Sequence, residues 1–332
     1  NDPRRRMSVE AGWDRTSAFV ELTETEVRAM LAPVGATVTA VTPLSSGLAN
    51  TNYRIDLEGG PPVVLRLYTR SPEVAATEVA LLRLVRESVP VAEVLFADTT
   101  GERTGRPYAV TTWVEGSLML QALADADEAA QRAIGRGAAE TLVQIQTHRF
   151  DRPGFFAPDG SLVPSGTLPP FRGHIAASLL RDGGAANLGP AQTQQVLRFV
   201  DDHAELLPVG EPAVLVHGDY KASNLLLTGA GEGWRISGVL DWEFAFAGPP
   251  LFDLTMLLRY SDAMPAFEAG VIEGYRQAGS ALPDKWKQRV RLLDLVNLCS
   301  FVTGPNRSEA RLRDVRALIE QTLELWDSYA NA

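Results

Sequence analysis

Three oxygen-bearing side chains fall into a pattern that could serve one phosphate-bearing ligand. His217-Gly218-Asp219-Tyr220-Lys221-Ala222-Ser223-Asn224 lies between the apolar runs Val214-Leu215-Val216 and Leu225-Leu226-Leu227, and Val239-Leu240-Asp241-Trp242-Glu243 follows. Asp219 is a carboxylate able to accept a hydroxyl proton; Asn224 adds an amide oxygen and Asp241 a second carboxylate. Hard oxygen donors of this kind suit magnesium, which takes one or two carboxylates and completes its shell with substrate phosphates. Phosphoryl transfer needs an oriented nucleophile, a metal on the phosphates and positive charge at the migrating group. Asp219 supplies the first, Asn224 and Asp241 the second, and Lys221 the third. Singly, an Asp or Asn after a strand is more often a turn or cap residue, and Lys221 alone would pass for a solvated lysine. The joint pattern of His-Gly-Asp, Asn five residues on, an apolar strand, and a second strand ending in Asp reverses those odds.

The elements that must carry these residues can be read around them. Val38 to Leu44, Asn52 to Leu57 and Val63 to Tyr68 read as strands, the last two forming a hairpin around Glu58-Gly59-Gly60-Pro61-Pro62. Ser71-Pro72-Glu73 opens a helix with a Ser cap, Pro at the first position and acid in the first turn. Val79, Leu82 and Val85 give that helix its apolar stripe. Residues 91–97 and 108–114 read as two more strands. After Glu115-Gly116 the pattern becomes helical: 125–147, a Pro/Gly-rich loop over 151–170, then helices near 171–182, 190–207, 250–260, 264–279, 284–303 and 307–330. A strand-rich island over 213–241 is embedded among them. The expected architecture is therefore α+β, with an antiparallel-sheet N-terminal lobe (1–113) holding one long helix. A hinge at 114–117 and a mostly helical C-terminal lobe (118–332) complete it.

Composition narrows the classes. The chain has 332 residues, 45% apolar and 22% charged, enough for a large core and too long for one ordinary compact unit. Net charge is −10; residues 1–113 carry 12 Lys and Arg against 14 Asp and Glu, and the remainder 19 against 27. That field repels phosphate backbones, so no nucleic-acid partner is expected. No apolar run approaches 18 residues, so no membrane span is expected. Residues 1–6 are basic without a following apolar region, which is not a secretion signal; Met7 is read as the native start and residues 1–6 as an appended remnant. The single cysteine, Cys299, sits in an apolar stretch and reads as a buried small hydrophobe. It allows no intrachain disulfide, and a cytoplasmic location is expected.

The sequence resembles the aminoglycoside phosphotransferase family, the small-molecule branch of the protein-kinase-like fold. The likeness rests on His217-Gly218-Asp219 with Asn224, Leu240-Asp241-Trp242-Glu243 and Gly248-Pro249-Pro250-Leu251-Phe252-Asp253-Leu254. In the first part it rests on Ser46-Gly47-Leu48-Ala49-Asn50-Thr51-Asn52-Tyr53-Arg54, Val64-Leu65-Arg66, Glu78 and Trp113-Val114-Glu115-Gly116. It runs from about residue 38 to 260. It implies that Asp219 is the catalytic base, that Asn224 and Asp241 hold Mg2+ on the ATP phosphates, and that Lys221 touches the γ-phosphate. It implies further that the Thr112 carbonyl and Val114 amide bind adenine, and that Ser45-Ser46-Gly47 offers N–H groups and hydroxyls to phosphates. As a segment, Ser45-Ser46-Gly47 is nearly as well read as a plain hairpin turn. The fold's third strand usually bears a lysine paired with a helix glutamate; here Arg66 stands there with Glu78 as partner. A guanidinium can still grip phosphate, though with different reach; the other reading is a surface strand arginine. His217 reads as a loop brace, Asp253 as a helix-opening residue that binds backbone N–H groups, and Glu243 equally as a metal helper or a turn cap.

The leading expectation is an ATP-dependent O-phosphotransferase acting on a small hydroxylated molecule: an aminoglycoside, an amino alcohol or a sugar-like compound. The rivals are a protein kinase and a nucleotide-binding module without turnover. Gly218 in place of an arginine, and Gly248-Pro249-Pro250 following Asp241 so soon, argue against the first; intact Asp219, Asn224 and Asp241 argue against the second. The acceptor, ATP against GTP, and the oligomeric state are left open by the sequence.

Overall fold

A computed structural model describes residues 18–44, 50–69, 73–164, 171–210, 212–305 and 307–331. The expected Ser45-Ser46-Gly47 phosphate turn, the Ser71-Pro72 cap, residues 165–170 of the Pro/Gly-rich loop and the 1–6 segment lie outside the described residues.

The N-terminal part is built on alternation. Helix α1 (Glu24–Leu31) precedes strands β1 (Val38–Leu44), β2 (Thr51–Leu57) and β3 (Val63–Leu67); helix α2 (Val74–Val85), β4 (Val94–Asp98) and β5 (Tyr108–Thr112) follow. The five strands form one antiparallel sheet in the order β1-β2-β3-β5-β4. Successive strand side chains point to opposite faces. Tyr53, Ile55, Val63, Leu65, Leu67, Tyr108 and Val110 thus share one face and pack on Val27, Met30 and Leu31 of α1. On the other face, Tyr68 and Ala109 meet Ala75 and Val79 of α2. Arg66, out of phase with Leu65 and Leu67, falls on this α2 side. The far side of α2 contributes Leu81, Leu82 and Val85 to the large core formed with the rest of the chain. Helix α1 is absent from the sequence reading, although its signal was there. Thr23 and Glu26 form a capping box, the Glu26 N–H donating to Thr23 Oγ1 (3.3 Å) and the Thr23 N–H to Glu26 Oε2 (2.8 Å).

Beyond Thr112 come β6 (Ser117–Leu118), α3 (Met119–Ala124), α4 (Glu128–Gln146), β7 (Arg149–Phe150), β8 (Gly154–Phe156) and β9 (Leu162–Pro164). Helices α5 (Phe171–Leu180), α6 (Gly184–Leu188) and α7 (Pro190–Asp202) lead to β10 (Ala213–Val216), β11 (Leu225–Thr228), β12 (Arg235–Val239) and β13 (Phe246–Gly248). Helices α8 (Phe252–Leu257), α9 (Pro265–Gln277), α10 (Trp286–Phe301) and α11 (Glu309–Glu324) close the chain. The island expected over 213–241 is divided between two sheets, ordered β7-β10-β13-β8-β9 and β12-β11-β6. The region read as a loop from 151 contains the β8–β9 hairpin. Strands of two to four residues are too short to show a period, and β13 is recognisable by its pairing with β10 and β8. Helices α4 and α9 meet backbone to backbone, because a Cβ on Gly270 would lie 2.0 Å from the Arg132 carbonyl oxygen and one on Gly274 2.4 Å from that of Arg136. Among the described residues no helix is long and apolar enough to cross a membrane.

Candidate active site

The His217-Gly218-Asp219 turn leaves the end of β10 and is held from three sides. Asp253, buried in the first turn of α8, accepts the His217 N–H on Oδ2 (2.8 Å) and the Gly218 N–H on Oδ1 (2.9 Å). Burial pushes its carboxyl up to about 7 despite those two bonds. The fully buried His217 ring accepts the Asp219 N–H on Nδ1 (3.2 Å) and donates from Nε2 to the Leu240 carbonyl (2.9 Å). Burial pulls its pKa down to about 4, so at neutral pH it is an uncharged imidazole spanning the two strand ends. Tyr220 turns the other way and donates to the Ala138 carbonyl of α4 (2.8 Å). Gly218 is required on two counts: its φ is +81°, and a Cβ there would lie 2.3 Å from the Phe244 carbonyl oxygen. An arginine at this position would collide with the segment that follows Asp241.

This scaffold gathers the candidate chemical groups. Asn224 donates from Nδ2 to both the Asp219 carboxylate (Oδ2, 2.9 Å) and the Asp219 carbonyl (3.0 Å). Lys221 places Nζ 3.1 Å from Asp219 Oδ1. The Leu240 N–H donates to the Asn224 carbonyl (2.8 Å), which fixes the start of β11 against the residue before Asp241. Asp241 has φ 69°, a left-handed conformation that Asp tolerates better than most residues. Because the Asn224 amide nitrogen is committed to Asp219, Oδ1 is the atom it can present to a cation. Asn224 Oδ1 and the Asp241 carboxylate are hard oxygens of the kind that suits magnesium completed by phosphates. Among the described residues no group of three His, Cys, Asp or Glu side chains could hold a metal ion without outside ligands.

Arg66 links this cluster to the N-terminal sheet. Its Nη2 is ion-paired with Asp241 Oδ1 and its Nε lies 3.1 Å from Glu78 Oε2. The Nε–Oε2 approach is close enough for an ion pair but not aligned as a hydrogen bond. Glu78 is 2% exposed, and its Oε1 accepts the Trp242 N–H (3.1 Å). Burial raises the Glu78 carboxyl above the ordinary range, with Arg66 opposing. Burial would raise Asp241 too, but the Arg66 guanidinium beside it holds that carboxyl below its usual value. Asn50, at the edge of β2, accepts the Thr69 N–H (3.2 Å) and donates to Glu243 Oε2 (3.4 Å). That long-range contact of Glu243 had no sequence signal.

Thr112 and Val114 stand at the far end of β5. The Thr112 N–H donates to the Glu93 carbonyl (2.9 Å), and its Oγ1 accepts the Glu93 N–H (2.9 Å). The Val114 side chain closes over Gly238, where a Cβ would lie 2.9 Å from Val114 Cγ1. Val114 therefore abuts β12 three positions upstream of Asp241, while Thr112 is bonded to Glu93.

A family model described as "Phosphotransferase enzyme family" matches residues 40–289. The chain belongs to this family. It is a phosphotransferase enzyme of the aminoglycoside phosphotransferase type, with the kinase-like fold: an antiparallel-sheet N-terminal lobe and a largely helical remainder. Solved structures of similar fold include aminoglycoside phosphotransferase APH(4)-Ia in a ternary complex with AMP-PNP and hygromycin B. That chain is 21% identical, with TM-score 0.66, covering 93% of this chain and 98% of that one. A putative aminoglycoside phosphotransferase from Ralstonia eutropha is 17% identical, with TM-score 0.67 and coverage of 94% and 99%. A GDP and kanamycin complex of a 2″-phosphotransferase is 17% identical, with TM-score 0.64 and coverage of 92% and 98%. In sequence the phosphotransferase is similar to the chicken (Gallus gallus) protein "Acyl-CoA dehydrogenase family member 11", 25% identical over 235 residues. The match takes in 69% of this chain and spans 28% of that relative's length.

Proposed function

We propose that this phosphotransferase moves the γ-phosphoryl group of ATP to a hydroxyl of a small molecule. The observation that carries this reading is the Asp219–Asn224–Lys221 constellation hydrogen-bonded at the end of β10, with Asp241 one backbone bond away. Fold neighbours hold AMP-PNP, ADP or GDP, which supports nucleotide use. Some hold hygromycin B or kanamycin, which supports a hydroxylated acceptor.

In this reading the nucleotide lies between the N-terminal lobe, residues 1–113, and the lobe from 118 onward, crossing the 114–117 hinge. Adenine meets the Thr112 carbonyl and Val114 amide. From Gly238, under Val114, to Asp241 is three strand residues, on the order of 10 Å, so the phosphates run along β12 towards the oxygen cluster. Ser45, Ser46 and Gly47 cover them, and Arg66, positioned by Glu78, takes a phosphate oxygen. Asn224 Oδ1 and Asp241 would hold a magnesium ion, which when bound neutralises charge on the phosphates. Asp219 accepts the hydrogen of the acceptor hydroxyl and aims its oxygen at the γ-phosphorus. The hydroxyl oxygen forms the new bond to phosphorus as the bond to the β–γ bridging oxygen breaks. The proton passes to Asp219, and ADP leaves. Lys221 is within ion-pairing reach of Asp219, so it can neutralise negative charge on the migrating group while raising no barrier to the carboxylate's approach.

A protein acceptor is disfavoured by geometry. Between Asp241 and α8 there is room only for a short helical turn and the three-residue β13. The test is ATP consumption over a panel of aminoglycosides, amino alcohols, sugars and hydroxyacyl thioesters of coenzyme A, the last prompted by the chicken relative's name. Turnover on a member of the panel that disappears in Asp219→Asn, with ATP binding retained, supports the reading. Turnover untouched by Asp219→Asn sinks it.

A further inference from the structure

The guanidinium of Arg66 sits where a cation would have to work. One end is paired with Asp241, the carboxylate assigned above to the divalent ion, and the other lies 3.1 Å from Glu78. The Arg66 side chain is 15% exposed, and its Cζ lies 5.4 Å from the centroid of the Tyr68 ring. We propose that Arg66 is a lock on Asp241, which becomes available to a divalent cation only when nucleotide phosphates draw the guanidinium away. The inference rests on the nucleotide-and-cation reading of this site.

Without a metal, one guanidinium already serves both carboxylates. The buried Glu78 and the partly exposed Asp241 face one arginine, whose charge is stabilised by both. A divalent ion arriving alone would have to share Asp241 Oδ1 with a fixed positive group. Phosphates change the competition, because a guanidinium binds them through two parallel N–H bonds as readily as it binds a carboxylate. Glu78 cannot follow Arg66 away. Its Oε1 is tied to the N–H of Trp242, the residue after Asp241, so Glu78 and Asp241 share one rigid frame. Arg66 reaches the frame from β3 and takes no part in the Glu78–Trp242 bond that holds it together. A swing of the guanidinium head therefore leaves the frame intact and opens Asp241. A lysine would lack this property. Its single nitrogen cannot form the planar fork that spans Glu78 and Asp241 together.

Coupling between two ligands is reciprocal, so binding can be read without turnover. The probe is Mn2+, followed by loss of its free electron-paramagnetic-resonance signal on the full chain, with and without AMP-PNP. Phosphates also donate oxygens to the metal, so tighter Mn2+ binding with nucleotide in the unaltered protein does not separate the lock from ordinary chelation. The decisive quantity is nucleotide-free affinity. Arg66→Lys is expected to bind Mn2+ about three- to tenfold more tightly than the unaltered chain, and Arg66→Gln about tenfold. Adding Asp241→Asn to either variant should abolish the gain. Thermal melting confirms that each variant is folded, and should Arg66→Lys fail to fold, Arg66→Gln carries the same readout. Nucleotide-free affinity that is unchanged or weaker in a folded variant overturns the lock. If the unaltered chain binds neither Mn2+ nor AMP-PNP, the nucleotide-and-cation reading fails first and takes the lock with it.

Discussion

Two networks of charged side chains in this molecule are built on opposite plans. In the helical part, Arg259 is fixed by both oxygens of Asp294 (2.9 and 2.5 Å), and the Arg259 carbonyl accepts from Arg291 (2.9 Å). Asp262 collects Arg291, Gln321 and Tyr329 on one oxygen, each at 2.8 or 2.9 Å, and Lys287 on the other at 3.2 Å. Burial pushes Asp262 up, yet Arg291 and Lys287 win and hold it below the ordinary carboxylate range. In the candidate site, one arginine serves two carboxylates, Glu78 stays raised by burial, and the Arg66 Nε and Glu78 Oε2 atoms are left out of alignment. Breaking a satisfied buried pair is strongly destabilising. A partly satisfied pair leaves polar atoms that a new partner could take. The first network joins helices; the second, in the reading proposed above, is open to a ligand.

The comparison breaks most decisively at Asp219. Asp219→Asn keeps the contact with Asn224 but removes the proton acceptor, so kcat should fall by about 10²–10⁴ with nucleotide affinity nearly unchanged by calorimetry. A fall in affinity that matches the fall in kcat would move Asp219 out of its base role. Next comes Asp294→Ala, which leaves Arg259 buried without its carboxylate. A loss of about 3–5 kcal/mol in urea unfolding is expected, with kcat per folded molecule unaltered. Equal effects of Asp294→Ala and Glu78→Ala on stability would erase the distinction between the networks.

His217 sharpens the contrast through pH. Its folded pKa of about 4 lies below the unfolded value near 6.5, so between those values the unfolded chain binds more protons. Stability from this group is complete above pH 6.5 and is lost as pH falls towards 4, up to about 3 kcal/mol. In His217→Gln that part of the acid slope should vanish from the melting curves, and a slope that persists would assign it elsewhere. The smallest effect is expected at Lys221. Lys221→Ala should lower kcat about ten- to hundredfold through lost charge at the transferring group while leaving the melting temperature within a few degrees. An undiminished kcat would return it to the class of solvated lysines.

Much of the site could be read locally. Asp219, Lys221 and Asn224 fall within one turn, so their spacing in the chain is nearly their spacing in space. The strands that flank them announce themselves by apolar runs, and Arg66 declares its face of β3 by falling out of phase with Leu65 and Leu67. Other features left weaker signals. The Thr23–Glu26 capping box is a short polar signal ahead of an eight-residue helix. Strands β8, β9 and β13 are too short for alternation to register. The helical network was hidden because Arg291 and Asp294 sit in α10, where a charged residue usually marks a solvent face, yet both are buried.

By itself, then, the sequence determined the chemical inventory: hard oxygens, a lysine beside them, and the alternating and helical patterns that require a sheet followed by helices. Only the tertiary structure decided which charges neutralise one another. Arg66 meets Asp241 across 175 residues of chain, and Asp253 caps a turn 35 residues before it. Propensity and periodicity act over a few residues, whereas a buried charge takes its partner from whatever the packing brings to its side.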